Sequence, residues 1–149
     1  MIVVWGIAVL CTLFLSSCKR PEVIDNSTLV NSARNVALTF GPAYVPFFKE
    51  ANVSDVQVFK KKDYGGDSRP QIRKQIGRKF YTVTFTYDST AVKFDFGFAA
   101  RVRIWKDTGE PLDVIFGNGW GRNFLFLSFK EQTNHSPNDY EKVASDSIV

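Results

Sequence analysis

The chain has 149 residues, a formal net charge of +4, two cysteines, one histidine and 15% aromatic residues. About 130 residues follow its apolar N-terminal stretch, which is enough for one compact domain and too few for two. The single histidine, His135, lies in a polar C-terminal segment, so a histidine triad or histidine metal centre in the folded domain is excluded. We therefore expect neither a metal nor a cofactor.

The first eighteen residues read MIVVWGIAVLCTLFLSSC and contain no charged side chain. An apolar run that ends in small residues is typical of a secretory signal peptide. Its last four residues, Leu15-Ser16-Ser17-Cys18, resemble the lipobox of bacterial lipoproteins. That resemblance implies cleavage before Cys18, a diacylglycerol group on its sulfur, and a protein lipid-anchored to a membrane of the bacterial cell envelope.

Two features differ from that pattern, and they leave a second interpretation open. No Lys or Arg precedes the apolar run, and Lys19-Arg20 follows Cys18 directly. Both favour an uncleaved single-pass membrane anchor, although the run is short for the roughly 17–25 residues that a spanning helix needs. The basic flank then leaves the C-terminal domain in the cytosol.

The lipoprotein interpretation divides the chain into four parts. Residues 1–17 are the signal peptide, 18–27 a lipidated tether, 28–130 one α+β domain and 131–149 a disordered tail. Cys11 is removed and Cys18 is modified, so the mature protein has no thiol pair for a disulfide or a thiolate metal site.

A helix is predicted at the start of the domain. Asn26 or Ser27 serves as its N-cap, and Gly41-Pro42 ends it, with Gly41 in a left-handed conformation. The apolar residues at helical spacing are Leu29, Ala33, Val36, Ala37 and Phe40. Residues 43–51 predict a second short turn of helix, with Phe47 and Phe48 under the sheet.

From Val53 onward the apolar period changes to two, which predicts strands. Val56 and Val58 begin the first strand, residues 68–79 form a loop, and Tyr81 to Tyr87 form a half-buried strand. The longest alternation predicts one strand that bends near Gly97; its apolar residues are Val92, Phe94, Phe96, Phe98, Ala100, Val102 and Ile104.

Two further strands follow in the sequence. The first contains Leu112, Val114 and Phe116, between turns at residues 106–111 and 117–122. The second starts near Phe124 and is apolar on both faces through Phe129. Together the elements predict an α+β fold, with an N-terminal helix packed on a curved antiparallel sheet of four to five strands. A β-sandwich or small barrel with an added helix is the alternative. The layout resembles cystatin-like and nuclear-transport-factor-2-like domains, with no motif residue in common.

A basic stretch between positions 60 and 79 is the first candidate interaction surface. Its cations are Lys60, Lys61, Lys62, Arg69, Arg73, Lys74, Arg78 and Lys79. Such a stretch suits anionic lipid headgroups, a glycan or an acidic envelope protein. The alternative is a solvated, mobile loop that shields an edge strand. Nucleic acid is not expected as a partner, because the chain is exported and no aromatic residues alternate with the cations.

A second candidate surface combines Arg101, Arg103 and Trp105, which share the polar face of their strand. Tryptophan and arginine are the residues of interface hot spots. Alternatively, Trp105 is covered by a second layer on that face. Trp120 lies in a Gly-rich turn, where it either folds back on the core or points outward.

No nucleophile or phosphate-binding motif occurs. Two carboxylates suffice for glycoside hydrolysis, so acids such as Asp95, Asp107, Glu110 and Asp113 are candidates in that weak sense alone. We therefore predict a non-enzymatic, membrane-anchored interaction module. The alternative function is small-molecule or lipid binding in an apolar pocket between helix and sheet, lined by Phe94, Phe96 and Phe98.

Overall fold

The computed structural model describes residues 24–66 and 68–133, and shows a long helix packed on one antiparallel sheet. The helix α1 covers Asn26–Phe40 and two short helices follow, α2 at Pro70–Arg73 and α3 at Phe129–Thr133. The strands are β1 Ala51–Val53, β2 Gln57–Val58, β3 Lys79–Phe85, β4 Ala100–Trp105, β5 Pro111–Phe116 and β6 Gly121–Asn123. The predicted α+β class is confirmed.

The folded part differs from the predicted 28–130 at both ends. Ile24 packs against the main core and Asp25 caps α1, so the last residues of the predicted tether belong to the domain. At the other end α3 continues to Thr133, three residues into the predicted tail. The predicted signal peptide, Cys18 and residues 134–149 lie outside the described residues.

The start of α1 is fixed by Asp25, and not by Asn26 or Ser27 as predicted. The Asp25 carboxylate accepts hydrogen bonds from the Thr28 amide at 2.9 Å and from the hydroxyls of Ser27 and Thr28 at 2.6 and 2.9 Å. These bonds satisfy donors that the first helical turn leaves without a backbone partner. The predicted apolar face is confirmed, since all five of its residues are at most 2% exposed.

Gly41 ends α1 for a different reason from the one predicted. Its φ is −153°, outside the left-handed region. A Cβ at this position would lie 2.3 Å from Cζ of Phe116, so glycine is required by the approach of that ring. The predicted second turn follows as a 3₁₀ helix over Pro42–Phe47, in which buried Tyr44 stacks on Phe116 at 4.6 Å.

The sheet has the strand order β1-β3-β4-β5-β6, with every pair antiparallel, and β2 pairs with the start of β3. Its inner face packs on α1 through alternate apolar residues of the three central strands. They are Val83, Phe85, Val102, Ile104, Val114 and Phe116. Phe48 stacks on Phe85 at 4.2 Å, as predicted, while Phe47 contacts Phe94.

The predicted first strand is reduced to the two residues of β2, and Val56 and Val58 are 38% and 42% exposed. The predicted long strand is also wrong, because β4 begins only at Ala100. In the preceding loop Phe94 turns inward onto Tyr44, whereas Phe98 lies under Arg101 on the other face. Phe94 and Phe98 share one parity in the sequence but lie on opposite sides of the sheet, so residues 92–98 do not form a strand.

The predicted last strand is wrong as well. β6 ends at Asn123, and Phe126 and Leu127 are 37% and 51% exposed. Buried Phe124 meets Phe129 of α3 edge to face at 5.7 Å, and both rings contact Phe40. Here the apolar run closes one end of the main core without pairing as a strand.

A second hydrophobic cluster lies on the outer face of the sheet, away from α1. The chain between β2 and β3 crosses this face and places Phe59 and Ile72 on side chains of the sheet; the cluster consists of Phe59, Ile72, Phe80, Trp105 and Leu112. The prediction of a loop over residues 68–79 is therefore wrong at α2, whose Ile72 is fully buried.

Candidate functional site

The outer face of the sheet is covered at one end only. The cross-strand neighbours Thr84, Arg101 and Ile115 lie beyond the second cluster. Arg101 is exposed, Ile115 is 36% exposed, and their neighbour Gly121 on β6 is exposed too. This open half of the sheet is the candidate site.

Three exposed side chains there, Phe96, Arg101 and Ile115, lie around the buried ring of Phe98. We call these four residues the outer-face patch. The Arg101 guanidinium lies 4.2 Å from the centroid of the Phe98 ring. Phe96 stacks on Phe98 at 5.4 Å and is 45% exposed, and Ile115 is the cross-strand neighbour of Arg101. The patch thus combines a cation held over an aromatic ring with exposed apolar surface.

A cleft of about 470 Å³ opens beside the patch. Ile115 is shared between the two, and Asp63 and Tyr64 form the wall contributed by the crossing chain. The ion pair between Arg103 and Asp113 also lines the cleft, next to Arg122 and Asn123 of β6.

The Arg103–Asp113 pair is largely removed from water. Arg103 Nε donates to both carboxylate oxygens at 2.9 and 3.0 Å, and Nη2 makes a further bond to Oδ2. The Asp113 side chain is 8% exposed and that of Arg103 is 18% exposed. Burial acts to lower the pKa of Arg103, but the hydrogen bonds and charge of Asp113 outweigh it and raise that pKa. Arg103 therefore stays protonated in the cleft.

The basic stretch predicted from the sequence is divided by the fold. Lys60 and Lys62 lie beside β2 and Phe80, whereas Lys79 starts β3. Every cation of the stretch except Arg78 is exposed: Lys60, Lys61, Lys62, Arg69, Arg73, Lys74 and Lys79. Arg69 packs on the ring of Phe126 at 4.0 Å.

Arg78 has a structural environment that its sequence context does not indicate. Its guanidinium stacks on Trp105 at 4.0 Å and donates to both oxygens of Asp107 at 3.0 and 2.7 Å. The hydrogen bond from Arg78 lowers the pKa of Asp107.

The predicted interaction surface of Arg101, Arg103 and Trp105 is not open at Trp105 or Arg103. Trp105 is 4% exposed in the second cluster, which agrees with the alternative that a second layer covers it. Of the three residues Arg101, Arg103 and Trp105, only Arg101 is exposed. Trp120 folds back, stacking on Phe116 at 5.4 Å, and is half-buried.

The candidate acids are separated. Asp107 is bound to Arg78 and Asp113 to Arg103, while Asp95 and Glu110 are exposed. Within residues 24–66 and 68–133, no group of three or more His, Cys, Asp or Glu side chains is placed to hold a metal ion.

The apolar pocket expected from Phe94, Phe96 and Phe98 is not formed by these residues. Phe94 packs on Tyr44 and Tyr87, and the other two belong to the outer-face patch. The sequence does not indicate the role of Phe96 and Phe98, because their alternation is also the pattern of a strand. Ile115 does have a signal in the sequence, since its parity opposes that of Val114 and Phe116.

These features define an α+β domain with a helix on one sheet face and a half-covered second face. No family model matches the chain, and neither a curated protein nor a solved structure shows significant similarity to it. In the part of the chain that the structure describes, no helix is long and apolar enough to cross a membrane.

Proposed function

We propose that this protein is a non-enzymatic interaction module, lipid-anchored in the bacterial cell envelope through Cys18, which binds a partner protein at the outer-face patch. The observation that carries the binding role is the patch itself, in which exposed Arg101 lies over the buried Phe98 ring, beside exposed Phe96 and Ile115. Arginine and aromatic residues are enriched at the centre of protein interfaces.

The short distance between Cys18 and the domain supports a role at the membrane surface. Cys18 lies seven positions before the helix cap Asp25. Even fully extended, this stretch reaches about 25 Å. An anchor of this length confines the patch to a thin layer near the bilayer, which raises its effective concentration for a partner in the same membrane.

The preformed geometry of the patch also favours binding. Because Arg101 already lies over Phe98, little side-chain freedom remains to be lost when a partner covers it. The neighbouring cleft supplies polar groups at the edge of the surface, through the Arg103–Asp113 pair and Asn123.

The test is crosslinking and affinity capture of the lipidated protein from membranes, with wild type compared to Arg101→Glu. The matched control is Lys93→Glu, which makes the same charge change at an exposed position outside the patch. Loss of a hot-spot residue costs at least about 2 kcal/mol, so recovery of the true partner falls about thirtyfold in Arg101→Glu. Equal recovery with both variants contradicts the patch as the binding surface.

The alternative function, binding of a small molecule or lipid, is favoured by a separate observation. A cleft of about 300 Å³ lies between the β4–β5 turn and the segment before α3. Its walls include Trp105, Phe124 and Phe129, with the cations Arg78 and Lys130 at the same cleft. Apolar walls with a few polar groups are typical of ligand sites, and this volume is at their lower limit.

Native mass spectrometry of the purified protein tests this alternative. Leu125→Trp fills the cleft from a half-buried lining position. A small molecule that copurifies with wild type and is lost in this variant supports the alternative. A ligand-free wild-type protein contradicts it.

A further inference from the structure

The chain enters the folded domain beside the β4–β5 turn, at residues 106–109. A Cβ on Gly109 would lie 3.5 Å from Cδ1 of Ile24, the first residue that the structure describes. Seven residues before Asp25 the sequence places Cys18, so this end of the domain is the one nearest the proposed anchor. We call it the tether end and define it by Ile76 and the lysines Lys74, Lys79, Lys106 and Lys130.

Exposed cations from three separate segments meet at the tether end. The Lys106 amide donates to the Lys79 carbonyl at 2.9 Å, which joins the β4–β5 turn to the start of β3. Lys74 lies in the turn before β3, where the neighbouring Gln75 accepts a hydrogen bond from Arg78. Lys130 lines the same cleft as Arg78 and Gln75.

The acids at this end compensate only part of that charge. The exposed acids there are Asp25 at the start of α1, Asp107 and Glu110 at the β4–β5 turn, and Glu131 beside Lys130. The cations still outnumber these acids by one and leave the end positive; they are Lys74, Arg78, Lys79, Lys106 and Lys130.

An exposed apolar side chain lies among these cations. Ile76 is 46% exposed in the turn between Lys74 and Arg78, and Val58, the β-pairing neighbour of Lys79, is 42% exposed. An apolar side chain surrounded by lysines suits the boundary between acyl chains and anionic headgroups. Partner proteins are bound by apolar surfaces from which lysine is depleted, so this composition favours a lipid surface.

We propose that the tether end docks on the anionic headgroups of the membrane that holds residue 18, with Ile76 inserted between them. This inference rests on the proposed anchoring near Cys18. Charge complementarity and the short tether both support it, because the tether brings this end to the bilayer first.

Docking of this end sets the direction of the outer-face patch. The helix α1 starts just after Ile24, beside the β4–β5 turn, and ends just before Gly41, beside Phe116 at the end of β5. Fifteen helical residues span roughly 20 Å at 1.5 Å per residue. Arg101 pairs with Thr84 near the far end of β3, so the patch points away from the bilayer, toward a partner.

Depth-dependent fluorescence tests this orientation in the full-length protein reconstituted in vesicles of phosphatidylcholine and phosphatidylglycerol. An environment-sensitive fluorescent amino acid replaces Ile76 or, as the control, Leu38. Leu38 is similarly exposed, at 47%, but lies near the other end of α1. Lipid carrying a nitroxide near the headgroup is the quencher. We expect strong quenching at position 76 and little at position 38.

Two outcomes are distinguished by measuring palmitate incorporation in the same preparations. Equal quenching at both positions in a palmitate-labelled protein contradicts docking through the tether end but still supports the lipid anchor. Selective quenching at position 76 without palmitate supports docking and refutes the lipid on Cys18.

Charge variants give a second readout. Lys79→Gln with Lys106→Gln removes two exposed cations at the tether end, and Lys49→Gln with Lys93→Gln removes two exposed cations elsewhere. The first pair lowers the ratio of docked to undocked protein about fivefold per lysine, whereas the second pair has little effect. High salt abolishes the difference by screening. An equal effect of both pairs overturns the proposal.

Discussion

Gly41 lies where α1 ends and the ring of Phe116 crosses the backbone. Its φ of −153° is accessible to any residue, so only space forbids a side chain. A Cβ there would meet Cζ and Cε1 of Phe116 at 2.3 and 2.4 Å. The Tyr44–Phe116–Trp120 stack behind the ring leaves it little room to retreat.

Gly41→Ala should therefore destabilise the domain by about 1–3 kcal/mol, the cost of overpacking a core. The measurement is the free energy of unfolding in denaturant. Gly97→Ala is the matched control, because a Cβ at position 97 would have nothing within 4 Å and the φ of Gly97 is not positive. Similar stabilities for Gly41→Ala and Gly97→Ala would contradict this account of the close approach.

The two arginine–aspartate pairs differ in burial and should therefore differ in their contribution to the free energy of unfolding. Asp113→Ala leaves the Arg103 charge without its partner in a site where its side chain is 18% exposed. We expect the free energy of unfolding to fall by about 3 kcal/mol, the lower end of the range for removal of one partner of a buried pair. In the control, Asp107→Ala removes a carboxylate that is 57% exposed, and the loss should stay below about 1 kcal/mol.

Denaturant unfolding of both alanine variants measures this difference. Replacement of Arg103 and Asp113 together by leucine should recover most of the loss, because no unpaired charge then remains. A double variant as unstable as Asp113→Ala would show that the loss does not come from the charge of Arg103.

At the scale of single residues the sequence predicts Arg101 as a surface residue, and the structure agrees. It does not predict which acids and arginines pair. Arg78 and Asp107 are 29 positions apart and meet only because the β4–β5 turn lies beside the start of β3. The burial of Trp105 likewise depends on Phe59 and Ile72, which come from a segment whose path no local pattern shows.

The start of α1 carries a pH-dependent stability. Hydrogen bonds from the Ser27 hydroxyl and from Thr28 hold the pKa of Asp25 well below its usual range. A carboxylate with a lowered pKa stabilises the fold above its unfolded pKa of about 3.9 and loses that contribution as the pH falls. Asp25→Asn keeps a capping oxygen but cannot ionise.

We therefore expect wild type to be more stable than Asp25→Asn at neutral pH, and the difference to disappear in acid. Denaturant unfolding of both proteins across this pH range measures it. A difference that grows as the pH falls would contradict the assigned role of the Asp25 carboxylate.

The short helix α2 is an element that holds the outer layer in place. Ile72 is its fully buried residue, and it packs in the second cluster over Trp105 and Leu112. Ile72→Ala should cost about 2–4 kcal/mol through the cavity it leaves. Ile76→Ala, at a position 46% exposed, should change stability by less than about 0.5 kcal/mol.

Hydrogen exchange provides a second measurement that distinguishes Ile72→Ala from Ile76→Ala. Ile72→Ala should increase amide exchange in residues 59–78 and leave α1 protected. Unchanged exchange in that segment would show that α2 is not what fixes it to the sheet.

Among the elements, α1 and the centres of β3 and β5 are predictable from the sequence, because each has one buried face and one more exposed face. The predicted long strand fails because Phe94 packs on the inner face and Phe98 on the outer face, although both have the parity of one strand face. Apolar residues at every second position therefore also occur in a loop. β1 has three residues, too few for any period, yet it pairs with three residues of β3. The strand predicted from Phe124 to Phe129 does not form, because Phe124 and Phe129 close the end of the core.

At the scale of the whole molecule, the described residues form two ends of different surface composition. The tether end carries exposed lysines and Ile76, and the outer-face patch lies toward the other end of the strands. Composition predicts that the cations occur, but their division between β2 and the tether end depends on tertiary structure. The patch is predictable only at Arg101 and Ile115, since its two phenylalanines come from a loop.

Palmitate labelling of Cys18→Ser in cells tests the central claim most directly, because both the partner and the docking proposals depend on where residue 18 is held. Cys11→Ser is the matched control, since it removes the other cysteine within the apolar segment. We predict that wild type and Cys11→Ser incorporate labelled palmitate and fractionate with the membrane, and that Cys18→Ser loses the label. Labelling of Cys18→Ser equal to that of wild type would contradict the lipid anchor.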